Sequence, residues 1–228
     1  GLVALLIEAG IARGGATWRA FVRVAPMPLT LLATGFFLIL SAAIHPTTND
    51  YYLHAFDSTL RAPVATWLFE FTSSQPWFEM TLTVTYIGLP IAFVALAALE
   101  RRAASRPGST ASPLDTDIWG LFAVIGLLGF VFYLLFPACG PVYVFGDDFP
   151  APSYPLDPSA IQPILVIPLP RNCVPSVHFS CALLLWLRAR RLGRWPSHLS
   201  LAFLTLTGLA TLGLGEHYLI DLVLALPV

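Results

Sequence analysis

Long stretches without a charged residue dominate this chain of 228 residues. Four of them are long enough to cross a bilayer, because one helical span needs about 20 apolar residues. They are residues 24–44, 80–99, 118–146 and 195–215. A fifth stretch, 172–187, is shorter, and Arg188 at its end can extend its head group toward the interface. Since charged side chains are costly in hydrocarbon, the charges mark the ends of the spans, and the pattern predicts a bundle of membrane helices.

The composition points to the same class of protein. Hydrophobic residues make up 57% of the chain and charged residues 11%, against roughly a quarter charged in soluble domains. The chain is too apolar for a disordered protein, its net charge of -1 does not suit a nucleic-acid binder, and three cysteines are too few for a disulfide scaffold. We therefore expect an all-α polytopic membrane protein of about six transmembrane helices, forming one domain over residues 1–228, with no nucleic-acid partner.

The segments between the spans have patterns of their own. Residues 2–24 carry a short apolar run followed by arginines, which favours an interfacial helix. Apolar side chains recur at helical spacing over 52–71, which predicts an amphipathic helix on the outer surface. Ten of the 20 prolines fall in 137–175, so we expect a long ordered loop there. A sixth helix begins at Tyr218, and because only eleven residues remain, we expect it to continue beyond residue 228.

The arginines predict an orientation. All 12 basic residues of the chain are arginine, and cytoplasmic loops are enriched in arginine and lysine. If five spans alternate strictly, ten of the 12 fall on one side, and only Arg61 and Arg171 fall on the other. We expect a multi-pass protein of a bacterial inner membrane, with the amino terminus in the cytoplasm and the proline-rich loop on the periplasmic face.

Cys139 and Cys173 both lie in the segment predicted for the outer face. In an oxidising compartment they could form a disulfide, which would stabilise the loop by about 4 kcal/mol on the chain-entropy model. Two cysteines in one loop can also lie too far apart for the bond, so two free thiols are an equal alternative. Cys181 lies inside a span and is expected to pack in the core.

Ionisable residues beside a span are candidates for function, and His217 and Asp221 lie at the start of the sixth helix. A spacing of four residues puts them one turn apart on one helix face, so the carboxylate can accept a hydrogen bond from one ring nitrogen and leave the other basic. Nucleophilic or general-base catalysis needs such an imidazole. A satisfied polar pair without catalytic function is the structural alternative.

A second polar stretch, from Arg171 to His178, lies at the start of the fourth span. Pro175 suits a first helical turn, which leaves the following amides without intrahelical acceptors and predicts an anion site at the positive end of the helix dipole. The residues expected around a bound phosphate are Arg171, Asn172, Ser176 and Val177. His178 could protonate a leaving oxygen, and Arg61 on the surface helix is a further candidate cation. An ordinary helix cap by Ser176 is the structural alternative.

Three other functions are consistent with parts of this pattern. An intramembrane serine protease would use Ser176 with His217, but no Gly-x-Ser-Gly stretch is present. A metal hydrolase would use His178, His217 and Asp221, but phosphate-cleaving metal clusters need further carboxylates. A transporter or channel for lipids or small anions should have ionisable groups near the middle of its spans, whereas here they gather at one face.

The two polar stretches together, Pro175-Ser176-Val177-His178 and then His217 to Asp221, resemble the type 2 phosphatidic acid phosphatase superfamily. The resemblance covers spans three to six and the loop. It implies a membrane enzyme that cleaves phosphoester bonds through a phosphohistidine, with no metal and no other cofactor. It also implies His217 as the nucleophile, Asp221 as its orienting carboxylate and His178 as the acid. The implied partner is a lipid-linked phosphate, and Tyr218 is a further candidate contact.

Several positions depart from the pattern of the phosphatase branch. Ala210 and Thr211 stand where that branch has a Ser-Arg pair, and Val177 stands where it has glycine. The shortened pattern, together with residues 136–141, resembles the inositol phosphorylceramide synthase and sphingomyelin synthase branch. That resemblance implies transfer of a phospho-headgroup to a lipid alcohol such as ceramide, whereas attack by water would make the enzyme a phosphatase.

Overall fold

The computed structural model describes residues 26–59, 64–105, 118–146, 149, 163–165 and 169–228. The helices in these ranges are α1 (Pro26–Ile44), α2 (Asp50–Thr59), α3 (Val64–Ser74), α4 (Pro76–Ile87), α5 (Leu89–Ala104), α6 (Ile118–Leu135), α7 (Pro141–Phe145), α8 (Val177–Ala189), α9 (Arg194–Gly213) and α10 (Leu219–Leu224). A 3₁₀ turn follows α8, and two short strands, β1 (Thr47–Thr48) and β2 (Ile164–Leu165), pair with each other. The prediction of a helical fold is confirmed. Arg61 and the interfacial helix expected at 2–24 lie outside the described residues.

The longer helices pack around α8. This helix contacts α5, α6 and α9, and α9 in turn packs on α3 and α4. The shared core is apolar and buried, with Phe93 on α5, Trp119 and Phe122 on α6, and Cys181 and Leu185 on α8 among its members. The core therefore fixes the position of α8, the helix that carries His178 near its first residue.

One helix, α6, is by itself long and apolar enough to cross a membrane, with a mean hydropathy of 2.4 over 18 residues. Helices α4 and α5 pass the same test together, but they meet at an angle of 55°. The bend has a local cause, because Gly88 ends α4 and Pro90 in the first turn of α5 has no N–H to continue the helical hydrogen bonds. Within the described ranges one helix, or two with the bent pair, meets the criterion, so six transmembrane helices are not confirmed.

A smaller region, the cap, lies at the end of the bundle where α8 begins. We define the cap as residues 45–59, 136–146, 149, 163–165, 169–176 and 214–221. Strand β1 pairs antiparallel with β2 in this region. An apolar cluster that includes Leu53, Phe145, Phe149 and Tyr218 holds the cap together. The cap therefore surrounds the starts of α8 and α10, where the two polar stretches lie.

Several elements differ from the sequence prediction. The amphipathic helix expected over 52–71 is two helices, α2 and α3, and Pro63 between them in the sequence disfavours a continuous helix. The long helix in the uncharged stretch 118–146 ends at Leu135, just before Pro137. The loop expected over 137–175 contains α7, whose first residue Pro141 needs no N–H there.

Candidate active site

His217 lies in the loop between α9 and α10, and only 2% of the residue is exposed. Its Nδ1 lies 2.8 Å from the main-chain oxygen of Cys173 and 3.4 Å from Oδ2 of Asp221. A carbonyl oxygen can only accept a hydrogen bond, so Nδ1 carries the ring proton. Nε2 is then the nitrogen that carries the lone pair of a neutral, nucleophilic imidazole.

The local geometry differs from the expected pair on one helix face. Helix α10 begins only at Leu219, with Tyr218 as its N-cap, so His217 precedes the helix. The loop still brings the imidazole within 3.4 Å of Asp221, because His217 N donates to the main-chain oxygen of Thr211 at 3.0 Å and so folds the loop back on α9. The shorter contact of the ring is with a main-chain carbonyl and not with the carboxylate.

Asp221 is the third residue of α10 and is completely buried. Its Oδ2 accepts hydrogen bonds from Tyr218 N at 2.9 Å and from Cys173 Sγ at 2.7 Å. Its Oδ1 is buried and has no hydrogen-bond partner among the described residues. The carboxylate thus places negative charge beside the imidazole, where it can stabilise positive charge that develops on the ring.

Cys173 contributes two groups to this site, which the sequence did not indicate. Its carbonyl orients His217 and its thiol donates to Asp221, while its own N–H is fixed by the main-chain oxygen of Ala138 at 3.1 Å. Burial and then the negative charges of Asp221 and Asp50 raise the pKa of this thiol well above its ordinary value, so it stays protonated at neutral pH.

Of the two alternatives that the sequence left open for Cys139 and Cys173, the structure has the free thiols and not the disulfide. Each has a different partner. Cys139 Sγ accepts a hydrogen bond from Arg171 at 3.2 Å, whereas Cys173 donates to Asp221. The two cysteines stabilise the cap through separate contacts and not through a covalent link.

His178 is the second residue of α8, and its ring stacks on Tyr86 of α4 with centroids 3.9 Å apart and an angle of 15°. The stack fixes the plane of the imidazole. Two hydrogen bonds tie the start of α8 to α10, from Ser176 N to the main-chain oxygen of Asp221 and from Ser180 Oγ to that of Ala225, which caps the end of α10. The structure thus brings both imidazoles to one end of the bundle.

The other residues expected around a phosphate have different positions. Ser176 is the N-cap of α8, since its hydroxyl accepts from Phe179 N at 3.4 Å. The Val177 side chain packs against α6 at Gly129, where a larger residue would collide with it. Asn172 is partly buried, and its Oδ1 has no hydrogen-bond partner among the described residues. Of these three, Asn172 has the polar atom that the protein leaves for another group.

Arg171 is fully buried and is surrounded by protein acceptors. Its guanidinium donates to the main-chain oxygens of His45 at 3.1 Å and Pro46 at 3.2 Å, to that of Leu169, and to Cys139 Sγ. A buried guanidinium needs such partners because each of its N–H groups is otherwise left without water. The sequence suggested Arg171 as a phosphate ligand, but in the structure it ties the loop before α8 to the segment after α1.

Two carboxylates of α2 position the site, and sequence reasoning missed both. Asp50 is completely buried and accepts from the amides of Cys139 and Gly140, the latter at 2.9 Å, and from the Tyr218 hydroxyl at 3.1 Å. Tyr218, expected as a substrate contact, is thus directed at Asp50. Asp57 accepts from the first two amides of α10, and its burial raises its pKa to about 6 despite these hydrogen bonds.

The sequence feature that could have pointed to Asp50 and Asp57 is their spacing. Asp50 and Asp57 are seven residues apart, which places them two turns apart on one face of a helix. The spacing indicates that they share a face. It does not indicate which main-chain amides they bind, because those amides lie at least 89 residues further along the chain.

Three side chains of the site could also hold a metal ion. Ligand atoms of Cys173, His217 and Asp221 all lie within 4.8 Å of one another, and all three residues are buried. This set differs from the His178, His217 and Asp221 set considered from the sequence, since Cys173 takes the place of His178. A thiol, an imidazole and a carboxylate are ligands typical of zinc.

Comparison with known proteins identifies the family. A family model described as the PAP2 superfamily matches residues 51–228, a range that contains nearly all of α2 and every later element, with both histidines and Asp221. No curated protein and no solved structure matches the chain. The match supports a phosphatase-type enzyme but does not confirm the inositol phosphorylceramide synthase and sphingomyelin synthase branch. The chain belongs to the PAP2 superfamily, the type 2 phosphatidic acid phosphatase superfamily that its polar stretches resemble.

Proposed function

We propose that this protein is an integral-membrane lipid phosphatase or phosphotransferase that acts on a lipid-linked phosphate through a phosphohistidine at His217. The observation that carries the proposal is the hydrogen bond from Nδ1 of His217 to the carbonyl of Cys173 at 2.8 Å. This bond puts the ring proton on Nδ1 and the lone pair on Nε2. A buried imidazole in this tautomer, at the end of the bundle where α8 with His178 begins, is suited to attack on phosphorus.

In the first step, the Nε2 lone pair of His217 attacks the phosphorus atom and the bond to the leaving oxygen breaks. His178 donates a proton to that oxygen, since the negative charge of the bound phosphate favours the imidazolium form of the ring. Asp221, 3.4 Å from Nδ1, stabilises the positive charge that the His217 ring gains. Tyr86 holds the His178 ring in one plane through their stack.

In the second step, an acceptor hydroxyl attacks the phosphohistidine. The nitrogen–phosphorus bond breaks, and His178, now neutral, takes the proton of the acceptor. Water as the acceptor gives free phosphate. A lipid alcohol such as ceramide, diacylglycerol or a polyprenyl-type lipid gives a transferred phospho-headgroup.

The phosphate oxygens need donors near His178. The N-terminus of α8 supplies the positive end of a helix dipole. Asn172 supplies a side-chain amide whose oxygen has no hydrogen-bond partner within the described ranges. A half-turn of that amide exchanges its oxygen and its N–H₂ group, so that the N–H₂ group can donate to a phosphate oxygen. Arg61 stays a candidate cation for the same phosphate.

The surface of the bundle supports a place in the membrane. Large apolar side chains are exposed on its helices, such as Leu32 on α1, Ile87 on α4 and Leu135 on α6. Arg188 at the other end of α8 pairs with Glu100 at 2.7 Å, about 15 Å along the helix from His178. We place this arginine-rich end in the cytoplasm and the cap at the periplasmic face of a bacterial inner membrane. The acyl chains of the substrate then stay in the bilayer while its headgroup reaches the cap.

The test is an assay of purified full-length chain in detergent with lipid phosphates that carry labelled phosphorus, with and without ceramide. We expect labelled phosphate or a labelled lipid product, and a labelled protein when the reaction is quenched in alkali, where phosphohistidine survives. His217→Ala should abolish both signals. His198→Ala, on α9 and away from the site, is the matched control and should retain them. Turnover at the wild-type rate in His217→Ala would exclude the mechanism.

A further inference from the structure

We propose that Cys173, His217 and Asp221 form a binding site for a zinc ion, and that the bound ion keeps the enzyme inactive. The second half of this proposal rests on the proposed function of His217. The first half rests on the positions of the three side chains alone, whose ligand atoms lie within 4.8 Å of one another.

The ligand types favour zinc over the harder cations. Magnesium and calcium prefer oxygen ligands, whereas a thiolate with an imidazole and a carboxylate is typical of zinc. All three residues are buried, so bulk water would not compete with these side chains for the ion. The fourth position of a tetrahedral site would be filled by a water molecule.

The distances are close to those of a zinc site. Nδ1 of His217 lies 3.4 Å from Oδ2 of Asp221, and two ligands about 2.0–2.1 Å from one tetrahedral ion are about 3.3 Å apart. Sγ of Cys173 lies 2.7 Å from the same oxygen, so the thiolate must move outward by about 1 Å to reach its longer zinc bond.

Two further observations support a ligand here. Oδ1 of Asp221 is fully buried and has no hydrogen-bond partner among the described residues, so the carboxylate has an oxygen that the protein leaves unused. The ligands are also held by neighbouring groups, since Tyr218 N donates to Oδ2 and the Cys173 amide donates to Ala138. Such outer contacts orient the ligands of metal sites.

Zinc at this position would remove the nucleophile. In the structure the proton of His217 is on Nδ1 and the lone pair is on Nε2. Coordination through Nδ1 requires the lone pair on Nδ1, so the ring proton moves to Nε2. The Cys173 thiol loses its proton to solvent, and the hydrogen bond from the imidazole to the Cys173 carbonyl is lost. No lone pair then faces the phosphorus.

The binding test uses cobalt as a spectroscopic probe for zinc. The full chain is purified in detergent with a thiol-free reductant, treated with a chelator, and titrated with Co²⁺. We expect a near-ultraviolet thiolate-to-cobalt charge-transfer band that saturates at one ion per chain and disappears when Zn²⁺ is added. Cys173→Ser should lose the band, and Asp221→Asn should weaken cobalt binding. Cys181→Ser, a second buried thiol outside the cluster, is the matched control and should keep the band.

The inhibition test uses the labelled lipid phosphate with and without Zn²⁺. Zinc should inhibit the wild type and Cys181→Ser, and a chelator should restore their rates. The residual activity of Cys173→Ser should need at least about 10-fold more zinc for the same fractional inhibition. The absence of the cobalt band from the wild type, or an equal band in Cys173→Ser, would overturn the site. A cobalt band in a protein that processes no lipid phosphate would leave the site intact and count against the proposed function instead.

Discussion

The bundle core and the cap bury different kinds of groups. The core around α8 is apolar, and two buried hydroxyls of α9 bond within their own helix, Thr207 to Phe203 O at 2.8 Å and Thr211 to Gly208 O at 2.8 Å. The cap buries charged groups, Asp50 and Arg171 among them, and their partners lie far away in the sequence. Asp50 and Tyr218, for example, are 168 residues apart.

The bundle and the cap therefore determine different features of the site. The bundle sets where the starts of α8 and α10 lie, through packing that many apolar side chains share. The cap decides which nitrogen of His217 carries the proton and how the loop before α10 bends, through a few hydrogen bonds that have no substitutes. We therefore expect changes in the core to alter stability, and changes in the cap to alter catalysis as well.

The largest expected effect is at His178, where the bundle meets the cap. His178→Ala removes the proposed acid, and the loss of a general acid lowers kcat by about 10²–10⁴-fold. The loss should be large for a lipid phosphate and much smaller for a substrate whose leaving group needs no proton, such as a nitrophenyl phosphate. The measurement is kcat for both substrates in the variant and in the wild type. An equal loss for both would mean that His178 acts only by packing on Tyr86.

The next prediction compares one destabilising substitution in the cap with one in the core. Asp50→Ala leaves the amides of Cys139 and Gly140 and the Tyr218 hydroxyl without their acceptor, and each orphaned buried donor costs about 1–3 kcal/mol. Leu185→Ala in the core costs about 2–5 kcal/mol through a cavity. Thermal unfolding in detergent should show a loss of stability in both variants, at least as large in Asp50→Ala, which orphans three donors.

Activity below the melting temperature should distinguish the two variants. Leu185→Ala should keep the kcat of the wild type, because the site is outside the core. Asp50→Ala should lose most of its kcat, because the loop that holds His217 is no longer fixed through Tyr218. Asp50→Asn, which retains one accepting oxygen, should recover part of the loss. If Asp50→Ala retains full kcat, the cap does not position the nucleophile.

Alanine at two glycines, Gly140 in the cap and Gly35 in the bundle, should change the stability of the protein by smaller amounts and in opposite directions. Gly140 in the cap has a φ of 106°, and a Cβ there would collide with the main-chain oxygen of Glu216, next to His217. Gly140→Ala should destabilise the protein by about 1–3 kcal/mol and reduce activity. Gly35 in α1 has no atom within 4 Å of an added Cβ, so Gly35→Ala should stabilise by about 0.5–1 kcal/mol. Melting temperatures of the two variants provide the measurement.

The same contrast explains what the sequence could predict. Uncharged stretches and apolar periodicity are local signals, so α1, α8 and α9 lie close to the stretches expected from the sequence. Other helices differ from the expected stretches because a proline interrupts helical hydrogen bonds even inside an apolar stretch. The bend between α4 and α5 lies at Pro90, and α6 ends just before Pro137.

The candidate site was only partly predictable for the same reason. The spacing of His217 and Asp221 indicated that they could meet, and they lie 3.4 Å apart. The carbonyl of Cys173 that orients the ring carries no side-chain signature in a sequence. The partners of Arg171 are main-chain oxygens as much as 126 residues away, so an arginine beside a phosphate motif could equally be a ligand or a structural tie.

The smallest expected effect is a pH dependence at Asp57, which joins α2 to the start of α10. Burial raises its pKa from 3.8 to about 6 in the folded protein, so between these values the folded state binds more protons than the unfolded state. The contribution of Asp57 to stability is therefore largest at low pH and decreases as the pH rises toward 6, by about 1 kcal/mol after solvent screening.

Asp57→Asn should raise the melting temperature relative to the wild type more at pH 7 than at pH 4. Glu70→Gln, at an exposed position on α3, is the matched control. A difference between Asp57→Asn and the wild type that stays constant with pH would show that Asp57 does not titrate in this range.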